Sequence, residues 1–178
     1  MSCKNKVWAI RNVSSLKKAL VISNEVLNTM DSLYRENLFE TNSEGSRLDA
    51  FRHIYWMYSL ASEIGIEKSR RIGLIYEDYN QYVFSVRSCS GYDFAGRLMD
   101  EYNNELGLYL FSKMRVREKE EVFEEIMNLI SRGCARIVAK DKLQRSLDVN
   151  DNVIPESEWK SQWNNNRCLI KSNKVICE

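Results

Sequence analysis

Helix breakers are scarce in this chain, with one proline and seven glycines among 178 residues, against about 5% and 7% in an average protein. A β-sandwich or barrel of this length would need turn residues every 8–12 positions or so, so the shortage excludes those folds and favours helices. Long apolar runs are missing as well. The longest, Ile54 to Tyr58, is far short of the ~20 residues of a bilayer-spanning helix. Met1 to Ile10 carries Lys4 and Lys6 without the apolar stretch of a signal peptide. The sequence therefore predicts a protein that is cytoplasmic as synthesised, and either stays there or leaves through machinery that needs no cleaved leader. An excess of one charge is lacking too: 26 basic against 25 acidic residues give a net +1, which is no footprint for duplex nucleic acid or anionic lipid. His53 is the only histidine, so zinc sites built on two or three histidines are excluded. The five cysteines contain no C-x-x-C pair, which removes zinc ribbons and thioredoxin-like motifs. Cys3, Cys89 and Cys134 have no histidine or basic pair nearby to lower a thiolate pKa, and no catalytic cysteine is expected.

What is present is enough apolar matter for a dense core, 44% of residues with 11% aromatic. The patterning predicts an all-α fold: a compact bundle of about five helices in a single domain spanning 1–178, with a small C-terminal β-hairpin. Leu16, Leu20, Val21 and Leu27 mark a first amphipathic helix over 14–30. A second runs from Ser46 to Ile64 and stops at Gly65; a third covers 67–83; a fourth is capped by Asp93 and reaches Met114. A fifth, 116–140, carries Glu at its start and Arg and Lys at its end, as the helix dipole favours. Residues 148–166 are polar and hold the single proline, with Trp159 and Trp163 spaced as a docking seam. Residues 167–178 read as a hairpin turning at Ser172–Asn173, which would set Leu169 opposite Ile176 and Cys168 opposite Cys177. That cysteine pair is either a cross-strand disulfide, in an oxidising compartment, or two small apolar thiols.

Polar residues on apolar faces are the functional signal. On a wheel of ~100° per residue, Asp49 and His53 fall within the apolar arc of the second helix, one turn apart. A carboxylate that receives an imidazole N–H fixes the tautomer and frees the other nitrogen for a base or ligand role; equally, the two could satisfy each other in the core. On the fourth helix a stripe of Gly96, Asp100, Asn103 and Gly107, with Asn104 beyond, edges the apolar arc. Two glycines inside a helix predict close approach of a neighbouring helix or a ligand. The third helix sets Gly73, Glu77, Asn80 and Arg70 together. If Glu77 meets His53 and Asp100 in one cleft, these three make an oxygen-rich cation site that suits Mg²⁺, Mn²⁺ or Ca²⁺ better than Zn²⁺.

The blocks DAFRHIYW, residues 49–56, and MDEYNNELG, residues 99–107, resemble a bacterial domain family of unknown function. Its members carry a DAFRHxYW block, an AHE-like block and an MDLHNNxxG block, and occur, as the resemblance implies, in wall-associated and Rhs-type polymorphic toxins and in stand-alone proteins. The similarity covers about residues 46–110. Where the family has histidines in the second and third blocks, this chain has Tyr76, followed by Glu77, and Tyr102. A phenol with a pKa near 10 is a poor ligand for divalent ions, so a metal-dependent mechanism would be altered here or lost.

Two functions follow as expectations. In one, the chain is a toxin- or effector-like hydrolase. Asp49 orients His53 as base or ligand, Glu77 and Asp100 hold a cation or activate water, and Arg52 with Asn103 and Asn104 binds an anionic or carbonyl group. In the other, the chain is a non-catalytic homologue that binds a cognate toxin or immunity protein.

Overall fold

The structure is a computed structural model and describes residues 3–41, 43–87, 92–115 and 117–175. Among these residues are seven helices and one two-stranded sheet, so the fold is mostly α. The five expected helices are α2 (Val13–Arg35), α3 (Arg47–Ile64), α4 (Ile66–Arg87), α5 (Phe94–Met114) and α6 (Lys119–Ser131); α1 (Cys3–Arg11) precedes them and the single turn α7 (Glu156–Trp159) follows.

Helix α3 is the centre of the bundle and packs against α2, α4, α5 and α6. Its start is set by Ser46, whose hydroxyl accepts from the Asp49 N–H at 3.2 Å, and Gly65 is its C-cap. Ala50, Phe51, Ile54 and Leu60 have no exposed surface. Helix α2 covers one side with Ala19, Ile22, Val26, Met30 and Leu33, the spacing of a single buried stripe. The α3/α5 crossing is close because of Gly107: a Cβ added there would stand 2.3 Å from the Ile54 carbonyl oxygen. Gly107→Ala must therefore push two helices apart. We expect a loss of about 2 kcal/mol, an overpacking cost, readable as a lowered urea midpoint; an unchanged midpoint would mean that the crossing is soft.

The fifth helix is shorter than the sequence suggests. It ends at Ser131, and Gly133 turns the chain with φ +78 in the left-handed region that glycine tolerates best. The apolar run that follows forms β1 (Arg136–Val138) instead of more helix, since Ile and Val fit a half-buried strand. β1 pairs antiparallel with β2 (Leu169–Lys171), Arg136 opposite Lys171 and Val138 opposite Leu169. The expected turn at Ser172–Asn173 is present, Lys174 N–H donating to the Lys171 carbonyl at 2.9 Å. The strand partner found for β2, however, comes from far upstream. The expected pairings of Leu169 with Ile176 and Cys168 with Cys177 involve 176–178, outside the described residues. Cys168 is disulfide-bonded.

The tail docks on the start of α5. Trp163 packs against Phe84, Tyr92 and Phe94, and its carbonyl accepts from the Phe94 N–H at 2.9 Å. Arg167 Nη1 lies 2.8 Å from Asp93 Oδ2, with both side chains buried. Asp93 also caps α5 through the Gly96 N–H and accepts from Asn165. No helix among the described residues is long and apolar enough to cross a membrane.

Candidate functional site

Three helices meet at His53. Its side chain is 2% exposed, as its place in the apolar arc requires. Nδ1 lies 3.0 Å from Asn104 Oδ1 on α5. Because a carboxamide oxygen only accepts, the ring carries its proton on Nδ1 and turns the Nε2 lone pair the other way. Nε2 is 3.0 Å from Asp100 Oδ1, 3.7 Å from Asp49 Oδ1 and 2.8 Å from Arg52 Nη2. Arg52 in turn reaches Asp49 Oδ1 at 2.6 Å. The other Asp49 oxygen accepts from the Gly45 N–H at 2.6 Å, which pins the loop before α3 to the cluster.

Burial alone would drive the His53 ring toward neutrality, but the charge of Asp100 and its hydrogen bond outweigh this and hold the pKa above the ordinary value. Burial likewise pushes Asp100 up, against the opposing pull of His53. Both shifts point one way: a second proton, shared between ring and carboxylate, is held to a higher pH than either group alone would allow.

Glu77, on α4, has no exposed surface. Burial, reinforced by the nearby Asp100, pushes its pKa up to about 7. Oε2 accepts from the Tyr92 hydroxyl and from Asn80 at 3.4 Å, whereas Oε1 has no hydrogen-bond partner among the described residues. Burial and the Glu77 charge push the Tyr92 phenol far up, so it keeps its proton and donates.

Asp49, Arg52 and Asp100 open onto a cavity of about 160 Å³, which Tyr76, Asn80, Tyr92, Gly96, Val138 and Arg167 help to line. Asp49, His53 and Asp100 each offer one ligand atom within 4.8 Å of the others, a donor set of two carboxylate oxygens and one imidazole nitrogen. Glu77 stands outside that trio. Asn103 faces elsewhere: its amide donates to the Arg136 carbonyl at 2.9 Å and its Oδ1 accepts from the Arg136 N–H at 3.0 Å, so it ties α5 to β1. Tyr76 is pushed up by burial, remains a neutral phenol and shares an edge-to-face contact with Trp56. Tyr102 lies under the Arg136 guanidinium.

Arg167 and Tyr92 were not anticipated from sequence. Arg167 lies in a tail with no periodic pattern, and Tyr92 directly follows a connection rich in serine. The signal that could have flagged both is the surplus of inward carboxylates, since Asp93 and Glu77 each require a donor.

The fold and site define a mainly helical protein with a buried histidine clamped between carboxylates, an arginine and a carboxamide. The chain belongs to the family described as Domain of unknown function (DUF6973), whose model matches residues 6–134. That match is wider than the two blocks and takes in α2 through α6. None of the curated proteins and none of the solved structures compared with the chain matches it.

Proposed function

We propose that the chain is a toxin- or effector-type bacterial hydrolase in which His53 is the base. The observation that carries this is the fixed ring: Nδ1 held by Asn104, and Nε2 facing Asp100 and Arg52 beside a cavity that could admit water. A base oriented by a second group is the arrangement such chemistry needs. Nε2 takes a proton from water as the water attacks an electrophilic carbon, and Asp100 stabilises the imidazolium so formed. Arg52 polarises the substrate oxygen, and the same proton leaves on the departing group. The raised His53 pKa places the rising limb of activity above pH ~6.5.

Asp49, His53 and Asp100 also fit a divalent cation, Mg²⁺, Mn²⁺ or Ca²⁺ before Zn²⁺. Such an ion would supply an acidified water. Room for it requires the Arg52 guanidinium, whose side chain is 35% exposed, to swing outward. The DAFRHIYW block, with its likeness to toxin-associated domains, supports the toxin or effector setting.

The fully hydrogen-bonded state of His53 favours a second reading, a non-catalytic homologue that binds a cognate toxin or immunity protein. Expression in the bacterial cytoplasm and periplasm separates the two. The wild type is expected to arrest growth in one compartment, and a folded His53→Ala variant to spare it, with activity reduced about a hundredfold. A wild type harmless in both compartments would leave only the binding module.

A further inference from the structure

A second concavity adjoins the site and differs from it in character. It lies between α2, α3 and α4, encloses about 520 Å³, and is walled by Leu16, Leu20, Val26, Leu27, Trp56 and Ile72. His53, Arg52 and Tyr76 line it too, and the last two also line the polar cavity. The site's own side chains thus stand where the two spaces adjoin. Leu20 and Leu27, on α2, are 68% and 51% exposed and stand at the groove without a partner.

The wall decides what the groove accepts. Apart from the three site residues, its one polar side chain is Ser23, whose hydroxyl is already engaged: it donates to the Ala19 carbonyl at 2.8 Å and accepts from the Trp56 indole at 3.0 Å. A sugar, nucleotide or extended peptide lying there would bury polar groups with nothing to answer them. A single aliphatic chain has no such fault, and the volume lies in the range of small-molecule pockets.

We propose that the groove takes one aliphatic chain of an acyl ester, whose carbonyl end reaches His53 and Arg52. This deepens the hydrolase reading and rests on it for the fate of the ester, but not for binding of the chain. In the reaction, water adds to the ester carbonyl carbon and gives its proton to His53 Nε2. The carbon–oxygen bond to the alcohol then breaks, the alcohol departs with that proton, and a fatty acid remains.

The test uses the full chain and dansyl-labelled undecanoic acid, kept below micelle-forming concentration. Saturable one-to-one binding, with blue-shifted emission and displacement by palmitate, is the expected result. Leu20→Asp combined with Leu27→Asp, at exposed positions that leave the core intact, is expected to weaken binding at least about tenfold, because each carboxylate replaces apolar contact with the chain. Absence of saturable binding to the wild type would overturn the proposal, and would be the outcome if a protein partner filled the groove. Equal binding by the double variant would overturn it as well. Assays with p-nitrophenyl acetate and p-nitrophenyl laurate keep the two readings apart. Probe binding without hydrolysis of either ester removes the ester-hydrolysis step and leaves the groove assignment standing. Acetate hydrolysis without probe binding does the reverse.

Discussion

Arg167→Met is expected to lower the stability of the fold by about 3–5 kcal/mol, the usual cost of breaking a buried ion pair from one side. Asp93 and Arg167 are 1% and 4% exposed and lie 2.8 Å apart. Methionine keeps much of the apolar stem, so the loss is charged to Asp93, left with a negative charge and no counterion away from water. Asp93 cannot easily turn toward solvent, because its Oδ1 holds the first turn of α5 through the Gly96 N–H at 2.7 Å. Urea unfolding of the wild type and the variant measures the effect, and thermal unfolding should fall by about 10 °C for a chain of this size. Adding Asp93→Asn should restore part of the loss, since a neutral carboxamide still accepts the Gly96 bond. A cost below about 1 kcal/mol, as for a surface pair, would contradict the buried geometry.

Glu77→Gln is expected to make the protein more stable at pH 8 by about 3 kcal/mol. The Glu77 pKa stands at about 7 in the fold, against 4.5 as its ordinary value, and each unit corresponds to about 1.4 kcal/mol. Because the folded value is the higher one, the folded state binds the proton more tightly. This contribution is therefore complete below pH ~4.5 and is lost as the pH rises through ~7. Glutamine is neutral throughout and can still accept from Tyr92, so that loss disappears. His53 and Asp100, also shifted upward, add a slope of the same sign that the variant retains. Denaturant titrations from pH 4.5 to 8 read the result. A wild type whose stability holds level or rises across that window, with Glu77→Gln no better at pH 8, would show that Glu77 is ionised in the fold without penalty.

Much of the bundle was legible because local signals agreed with one another. Ser46 and Gly65 bracket α3 as a cap and a stop should, and Asp93 opens α5. The inward placement of Asp49 and His53 followed from periodicity, since a polar residue inside an apolar arc has nowhere else to point, whereas Asp100 stood only at the edge of its arc. Partners were not legible in this way. Nothing in the spacing of Asn103 and Asn104 separates the one that holds His53 from the one that holds the Arg136 backbone; that depends on whether α3 or β1 covers each side of α5. Periodicity does not mark the end of α6, because Ile137, Val138 and Ala139 continue an apolar pattern that helix and strand share over short runs. Only Gly133 marks the change. The pairing of β1 with β2 spans some thirty residues of mostly irregular chain, and such long-range contacts leave no trace in local sequence.

The way the C-terminal tail folds back decides how this chain can be dissected. The shared stretch stops at residue 134, yet Val138 and Arg167 stand in the wall of the polar chamber. Trimming this chain to those borders would unroof that chamber and orphan the acid that opens α5. The unit of this chain to clone or crystallise is therefore the helices together with their returning strand, which belongs to the architecture of the chamber itself.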